Sequence, residues 1–290
     1  MRGESRANLA IMSPLVVALL IAAVACIFCW VASVISKDTS WVDRIWSVVP
    51  VIYVWVFAIA AGMRDVRLDV MAVLVLLWGA RLTFNFARKG GYAGIGGDHE
   101  DYRWAVLRGR MSPAAFQVFN VFFIVLYQNA VLFLIASPAW TAYQHRTPFG
   151  PLDVVLTVLF VAFLIGETSA DQQQWSFHRW KRAEIAAGRE PSPRFLQSGL
   201  FRVSRHPNFF FENAQWWVIA AFGVVAARGL DWTLVGILLL LTIFIGSTRF
   251  TEDITRSKYP EYAAYQRRTS AVIPWFPRRV RDASAVVPPG

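Results

Sequence analysis

Apolar residues in this chain come in blocks of roughly 17 to 23, and seven such blocks follow one another between residues 14 and 248. A helix rises 1.5 Å per residue and needs about 20 residues to cross the hydrocarbon core of a bilayer. Inside that core every backbone N–H and C=O must find its partner within the segment, so blocks of this length fold as spanning helices. The expected fold class is all-α, a multi-pass membrane bundle with helices at 14–35, 45–62, 70–86, 114–136, 152–170, 209–227 and 231–248. Composition agrees, since 56% of residues are hydrophobic and only 17% are charged, too apolar for an ordinary soluble domain.

The first block, Pro14 to Ile35, is longer than a signal-peptide core and has no small-residue cleavage pattern at its end, so it reads as a retained helix. Cys26 and Cys29 form a C-x-x-C inside it, where packing in lipid is the expected role. The formal net charge of +10 does not point to nucleic acid, because the charges fall in loops rather than in a separate basic domain. With seven crossings, one face of the membrane receives 22 Lys and Arg and the other 6. Basic loops favour the cytoplasmic side, which predicts an external N-terminus and a cytoplasmic C-terminus in a bacterial inner membrane or the endoplasmic reticulum. The chain reads as one membrane domain, with 14–136 on the substrate side, 152–277 holding a cofactor and 278–290 a disordered tail. No internal repeat is visible, and no phosphate-binding loop follows a strand. The glycine-rich run from Gly90 to Gly97 follows a membrane helix and reads as a flexible link.

Charge in or beside a spanning segment is costly unless it is paired or wet, which marks functional candidates. Asp43 and Arg44 open the second helix, either as partners of each other or as functional groups. Arg81, Asn85 and Arg88 share one face of the third helix, and Arg81 lies too deep for simple snorkelling. Gln128 and Asn129 sit in the middle of the fourth, where interhelical hydrogen bonding accounts for them. Glu167, Asp171, Gln174 and His178 follow spacings of four, three and four, a polar stripe on a helix that continues out of the membrane. In the run from Arg194 to Glu212, Pro207 can start the sixth helix. Asn208 and Glu212 then lie one turn apart near its positive end, with Arg205 and His206 just before them, an arrangement suited to an anionic ligand. A second cluster, Arg249, Glu252, Arg256, Lys258, Tyr259 and Tyr265, leads to Ile273-Pro274 on the same side. Four histidines, with His99 and His145 on opposite faces, predict no metal site.

Two motifs carry a family resemblance. One is Arg194-x-x-Gln197-x-Gly199-Leu200-Phe201 followed by Ser204-Arg205-His206-Pro207-Asn208-x-x-x-Glu212; the other runs from Arg256-Ser257-Lys258-Tyr259 through Tyr265 to Ile273-Pro274. They resemble the steroid 5α-reductase superfamily, most closely its subfamily of membrane proteins with a DUF1295 domain, and the sterol C14-reductases share the Arg-His-Pro-Asn and Arg-Ser-Lys-Tyr cores. The resemblance is strongest over 165–277 and weaker over 40–104. It implies a seven-helix enzyme that uses NADPH to reduce a carbon–carbon double bond conjugated to a carbonyl in a lipid-soluble substrate. By position it assigns the cofactor to Arg194, Asn208, Glu212 and Asp171, with Arg256 and Tyr259 added by likeness to the sterol reductases. Arg88, His178, Arg205 and His206 join that set as polar groups on the same face. Asp43 stands where the steroid enzymes have a catalytic glutamate; the tyrosine they pair with it is absent, and Trp78 and Arg81 occupy its neighbourhood, which makes Asp43 and Arg81 the catalytic candidates. Isoprenylcysteine-type methyltransferases, which use S-adenosylmethionine, combine a similar Arg-His-Pro with a C-terminal Tyr and Pro cluster and supply the alternative reading, and a non-enzymatic lipid-binding protein is a third. Membrane lipids are the expected surroundings.

Overall fold

A computed structural model describes residues 12–94 and 100–278; residues 95–99, which include part of the glycine-rich run and His99, and the tail from 279 lie outside them. The described residues are helical throughout their regular structure, and seven helical stretches are long and apolar enough to cross a membrane. These are Pro14–Ser36, Trp41–Ala60, Val66–Arg88, Pro113–Gln144, Pro151–Ala186, Pro207–Ala227 and Trp232–Lys258. The chain divides into two compact units, Met1–Thr157 with Val218–Leu239, and Val158–Trp217 with Leu240–Gly290.

In the first unit, α1 (Pro14–Ser36) begins with Ser13, whose hydroxyl accepts from Val16 N at 3.3 Å, and with Pro14 where no N–H is needed. The short α2 (Trp41–Ile45) leads into α3 (Val49–Ala60), which packs between α1 and α4 (Val66–Arg88). Gly79 lets α3 and α4 meet, since a Cβ there would stand 2.6 Å from Val51 Cγ2 on α3 and 2.5 Å from the Ser47 carbonyl oxygen just before it. Asp65 caps α4 through Leu68 N at 3.1 Å. Two residues on, Arg67 is fixed by Asp153 at 2.7 and 2.8 Å and by the oxygens of Thr147 and Pro148, a buried clasp in which every guanidinium nitrogen is bonded. After α5 (Tyr102–Arg108), the fourth span is a composite. It runs from α6 (Pro113–Phe119) through a π-helical stretch, Asn120–Tyr127, into α7 (Gln128–Ala136) and α8 (Pro138–Gln144). Asn120 uses this stretch to donate to Ser33 Oγ on α1 at 3.0 Å, one of the interhelical polar contacts that hold helices together in lipid.

The second unit is built on most of α9 (Pro151–Ala186), the start of α10 (Pro207–Ala227), the end of α11 (Val235–Lys258) and the short α12 (Tyr262–Arg268). At 36 residues α9 is about 54 Å long, well beyond the hydrocarbon thickness of about 30 Å. It continues sixteen residues past the span expected at 152–170, and α11 continues ten past 248. Both extensions are polar and carry candidate site residues. The second span opens at Trp41 rather than 45, because the charges of Asp43 and Arg44 have partners and need not stand outside the helix.

Candidate functional site

Within the second unit the two sequence motifs, some sixty residues apart, fold into one interlocked module. The stretch before α10 is held by the chain after α12: Arg205 N donates to Ser270 O at 2.8 Å, His206 N to Ala271 O at 3.0 Å, and Trp275 N to Val203 O at 2.9 Å. Ser204 Oγ donates to Val272 O at 2.6 Å, and Tyr265 gives its hydroxyl proton to Phe201 O. Phe195 of the first motif inserts among three tyrosines of the second, with ring centroids 6.4 Å from Tyr259, 5.0 Å from Tyr262 and 5.6 Å from Tyr265. Gly199 turns the chain at φ +61°, a left-handed conformation that side chains resist, and a Cβ there would lie 2.5 Å from Gln173 Oε1. That Gln173 oxygen accepts from Leu200 N at 2.9 Å and ties the first motif to α9.

The centre of the module is Glu252 on α11. Its carboxylate takes Arg205 Nε at 2.6 Å and the Arg205 terminal nitrogen at 3.0 Å, His206 Nε2 at 3.0 Å, Gln266 Nε2 at 2.8 Å and Tyr262 Oη at 3.4 Å. The other Arg205 nitrogen donates to the carbonyls of Gln266 and Thr269. Arg205, expected to face a cofactor, gives all three guanidinium nitrogens to the protein, and His206, expected there too, gives its Nε2 to Glu252, so both link the two motifs. Tyr262 and Tyr265 are buried beside them, and burial pushes both phenols above their usual pKa.

The remaining candidates divide by exposure. Asp171 on α9 and Glu212 on α10 are buried, Asn208 is half-buried in the first turn of α10, and His178 and Arg256 are exposed, Arg256 with Asp253 at 3.3 Å. Buried Glu167 accepts from Gln215 Nε2 at 2.6 Å. Arg194 pairs with Glu190 and approaches Glu261 at 3.7 Å; these three line a polar cavity of about 400 Å³ with Pro191, Phe195 and Gln197. Lys181, which sequence reasoning missed, bonds Tyr259 Oη at 2.9 Å and the Arg194 carbonyl at 2.5 Å, linking α9 to both motifs. The signal was present: 181 continues the stripe of 167, 171, 174 and 178 by three residues.

In the first unit Asp43 and Arg44 do not pair with each other. Arg44 reaches Asp38 at 2.8 Å and the carbonyls of Gly91 and Gly94, both at 3.2 Å. Asp43 accepts from Trp104 Nε1 at 2.9 Å and lies 3.7 Å from Arg103, which is itself fixed by Asp101 at 2.8 Å. Burial acts to lower the Arg103 pKa, but the carboxylates of Asp43 and Asp101 outweigh it and the guanidinium stays charged. Neither Arg103 nor Trp104 was picked out from sequence, because the two-turn α5 that brings them to Asp43 is too short to show a periodic pattern. Arg81 is half-buried on α4; on the same helix Thr83 shares a hydroxyl hydrogen bond of 2.6 Å with Ser47, and Arg88 donates to Asn85 Oδ1 at 2.9 Å.

Comparison with known proteins gives a family match over residues 29–269, to a family described as "Protein of unknown function (DUF1295)". The chain belongs to the DUF1295 family. A relative in Schizosaccharomyces pombe, described only as an uncharacterized protein, is 36% identical over 279 residues, covering 90% of this chain and 80% of its own length. The family match takes in the apolar core from Cys29 and both motifs as far as Thr269. No solved structure matches this DUF1295 chain.

Proposed function

We propose that this DUF1295 protein is an NADPH-dependent reductase of a carbon–carbon double bond conjugated to a carbonyl in a lipid-soluble substrate, a member of the steroid 5α-reductase-like superfamily. The observation that carries the reading is the interlocking of the two motifs on which that resemblance rests. Residues 194–212 and 256–275 are joined by the Glu252 carboxylate, a backbone pairing and a tyrosine cluster, so the residues the resemblance assigns to the cofactor belong to one element.

The side chains left after that clasp suit a phosphorylated dinucleotide. Arg194 lines a polar cavity, Lys181 bonds its carbonyl from α9, and among the described residues its guanidinium is engaged by the exposed carboxylates of Glu190 and Glu261. Exposed pairs of this kind are worth about 0–1 kcal/mol, so a phosphate can replace Glu190 at little cost. Asn208 offers a carboxamide in the first turn of α10, where amide groups are matched by hydrogen-bonding side chains. NADPH, when bound, supplies the hydride. The protein binds, orients and excludes water, and in the first unit Asp43, held by Trp104 Nε1, lies beside the Arg103 guanidinium, a cation of the kind that stabilises charge growing on a carbonyl oxygen. The division of 22 basic residues against 6 supports a multi-pass protein with its C-terminus in the cytoplasm.

The test is turnover. Purified full-length protein, given NADPH and a panel of lipid-soluble enones, is expected to oxidise NADPH and yield the saturated ketone. Binding of S-adenosylmethionine with methyl transfer, and no NADPH consumption, would replace the proposal with the methyltransferase reading.

A further inference from the structure

The segment after α12 does more than close the module. Its backbone is fixed at three points, Ser204 Oγ to Val272 O at 2.6 Å, Trp275 N to Val203 O at 2.9 Å and Arg278 N to Arg268 O at 2.8 Å. A segment so tied would be expected to turn its large apolar side chains inward. Instead Ile273 is 67% exposed, Trp275 69% and Phe276 84%. Three such residues on a short fixed strap make an apolar patch that needs an occupant.

Two features identify the occupant. The strap pairs with residues 203–206, which immediately precede Pro207, the first residue of the apolar helix α10, so it lies at the level where a spanning helix meets the headgroups. Exposed arginines flank it along the chain, with Arg202 next to the paired segment and Arg267, Arg268 and Arg278 on the strap's own side. Tryptophan and phenylalanine flanked by arginine form the side-chain set of a membrane interface, where the rings enter the acyl boundary and guanidinium groups meet lipid phosphates.

We propose that residues 271–278 form an interfacial anchor seated on the lipid bilayer, with Trp275 and Phe276 inserted and Arg268 and Arg278 bound to anionic headgroups. The strap is bonded to the stretch that carries Arg205 and His206, so lipid contact here holds the motif module against the membrane surface.

Full-length protein carrying Phe276→Cys in a Cys26→Ser, Cys29→Ser background, nitroxide-labelled and reconstituted into phosphatidylcholine bilayers containing phosphatidylglycerol, tests this. The label at 276 is expected to be relaxed more by dissolved oxygen than by a water-soluble nickel chelate, whereas a control label at Glu190→Cys shows the reverse. Removing phosphatidylglycerol should shift the 276 label towards water. In the unaltered cysteine background, quenching of tryptophan fluorescence by brominated lipid should fall in Trp275→Phe. A 276 label as open to nickel as the one at 190 would overturn the anchor. So would a label shielded from both reagents, which means a second copy or another protein covers the patch, and an unchanged depth without anionic lipid would remove the headgroup contacts.

Discussion

Glu252→Gln removes the charge at the centre of the module while keeping the side chain's size. In the native arrangement the carboxylate and Arg205 are about nine-tenths buried, with side-chain exposures of 9% and 10%, and share two hydrogen bonds of 2.6 and 3.0 Å. Breaking one partner of such a buried pair costs about 3–5 kcal/mol, because the surviving charge stays buried without compensation. The other partners, His206, Gln266 and Tyr262, would then have to bond a neutral amide whose nitrogen can only donate, so the upper half of that range applies. At roughly 2–4 °C per kcal/mol, the thermal midpoint of the purified protein, read from tryptophan fluorescence in detergent, should fall by about 10 °C. The double variant Glu252→Leu with Arg205→Met removes both charges and should lose less than the sum of its two single variants. A midpoint shift of about 1 °C for Glu252→Gln, or losses that simply add in the double variant, would refute the buried-clasp account.

Other perturbations read different parts of the structure. Lys181→Met should weaken NADPH binding by about tenfold, as one charge-assisted hydrogen bond predicts, with Lys181→Arg restoring part of it; unchanged affinity removes Lys181 from the site. Gly199→Ala places a Cβ against Gln173 at φ +61° and should cost about 1–3 kcal/mol of stability; thermal melts check it. Trp104→Phe deletes the indole donor to Asp43 and should lower the rate of enone reduction while leaving NADPH affinity unchanged. Tyr262 and Tyr265 have raised pKa values when folded, so their protons are held more tightly than in the unfolded chain. Their contribution is complete below pH about 10 and declines as pH rises beyond it; thermal midpoints measured across that range should fall for the parent and fall less for the double Tyr→Phe variant.

Much of the fold was legible because membrane solvation leaves few choices. A run of twenty apolar residues has one way to satisfy its backbone in lipid, and the seven runs became the seven long apolar helices. Helix ends were less legible. Apolarity stops at residue 170 or so, but α9 continues to Ala186 because Gln173 and Lys181 bond the motif segments beside it. The fourth span hides a π-helical stretch, since nothing in Asn120–Tyr127 distinguishes it from an α-helical sequence. In the site, types of side chain were readable and their commitments were not. Arg194 and Arg205 look alike in sequence, yet one lies at an exposed cavity and the other is closed on Glu252. Asp43 and Arg44 are neighbours in sequence, and adjacent helical residues point about 100° apart, which sends Arg44 to Asp38 and leaves Asp43 to Trp104.

The central claim, that the interlocked motifs hold NADPH, is tested most directly by titrating purified full-length protein with NADPH and following the nicotinamide fluorescence. The account predicts saturable binding that is weakened at least tenfold by Asn208→Ala and by Arg194→Ala, in variants whose thermal midpoints match the parent. No saturable NADPH signal in the parent, or equal affinity in all three proteins, would contradict it.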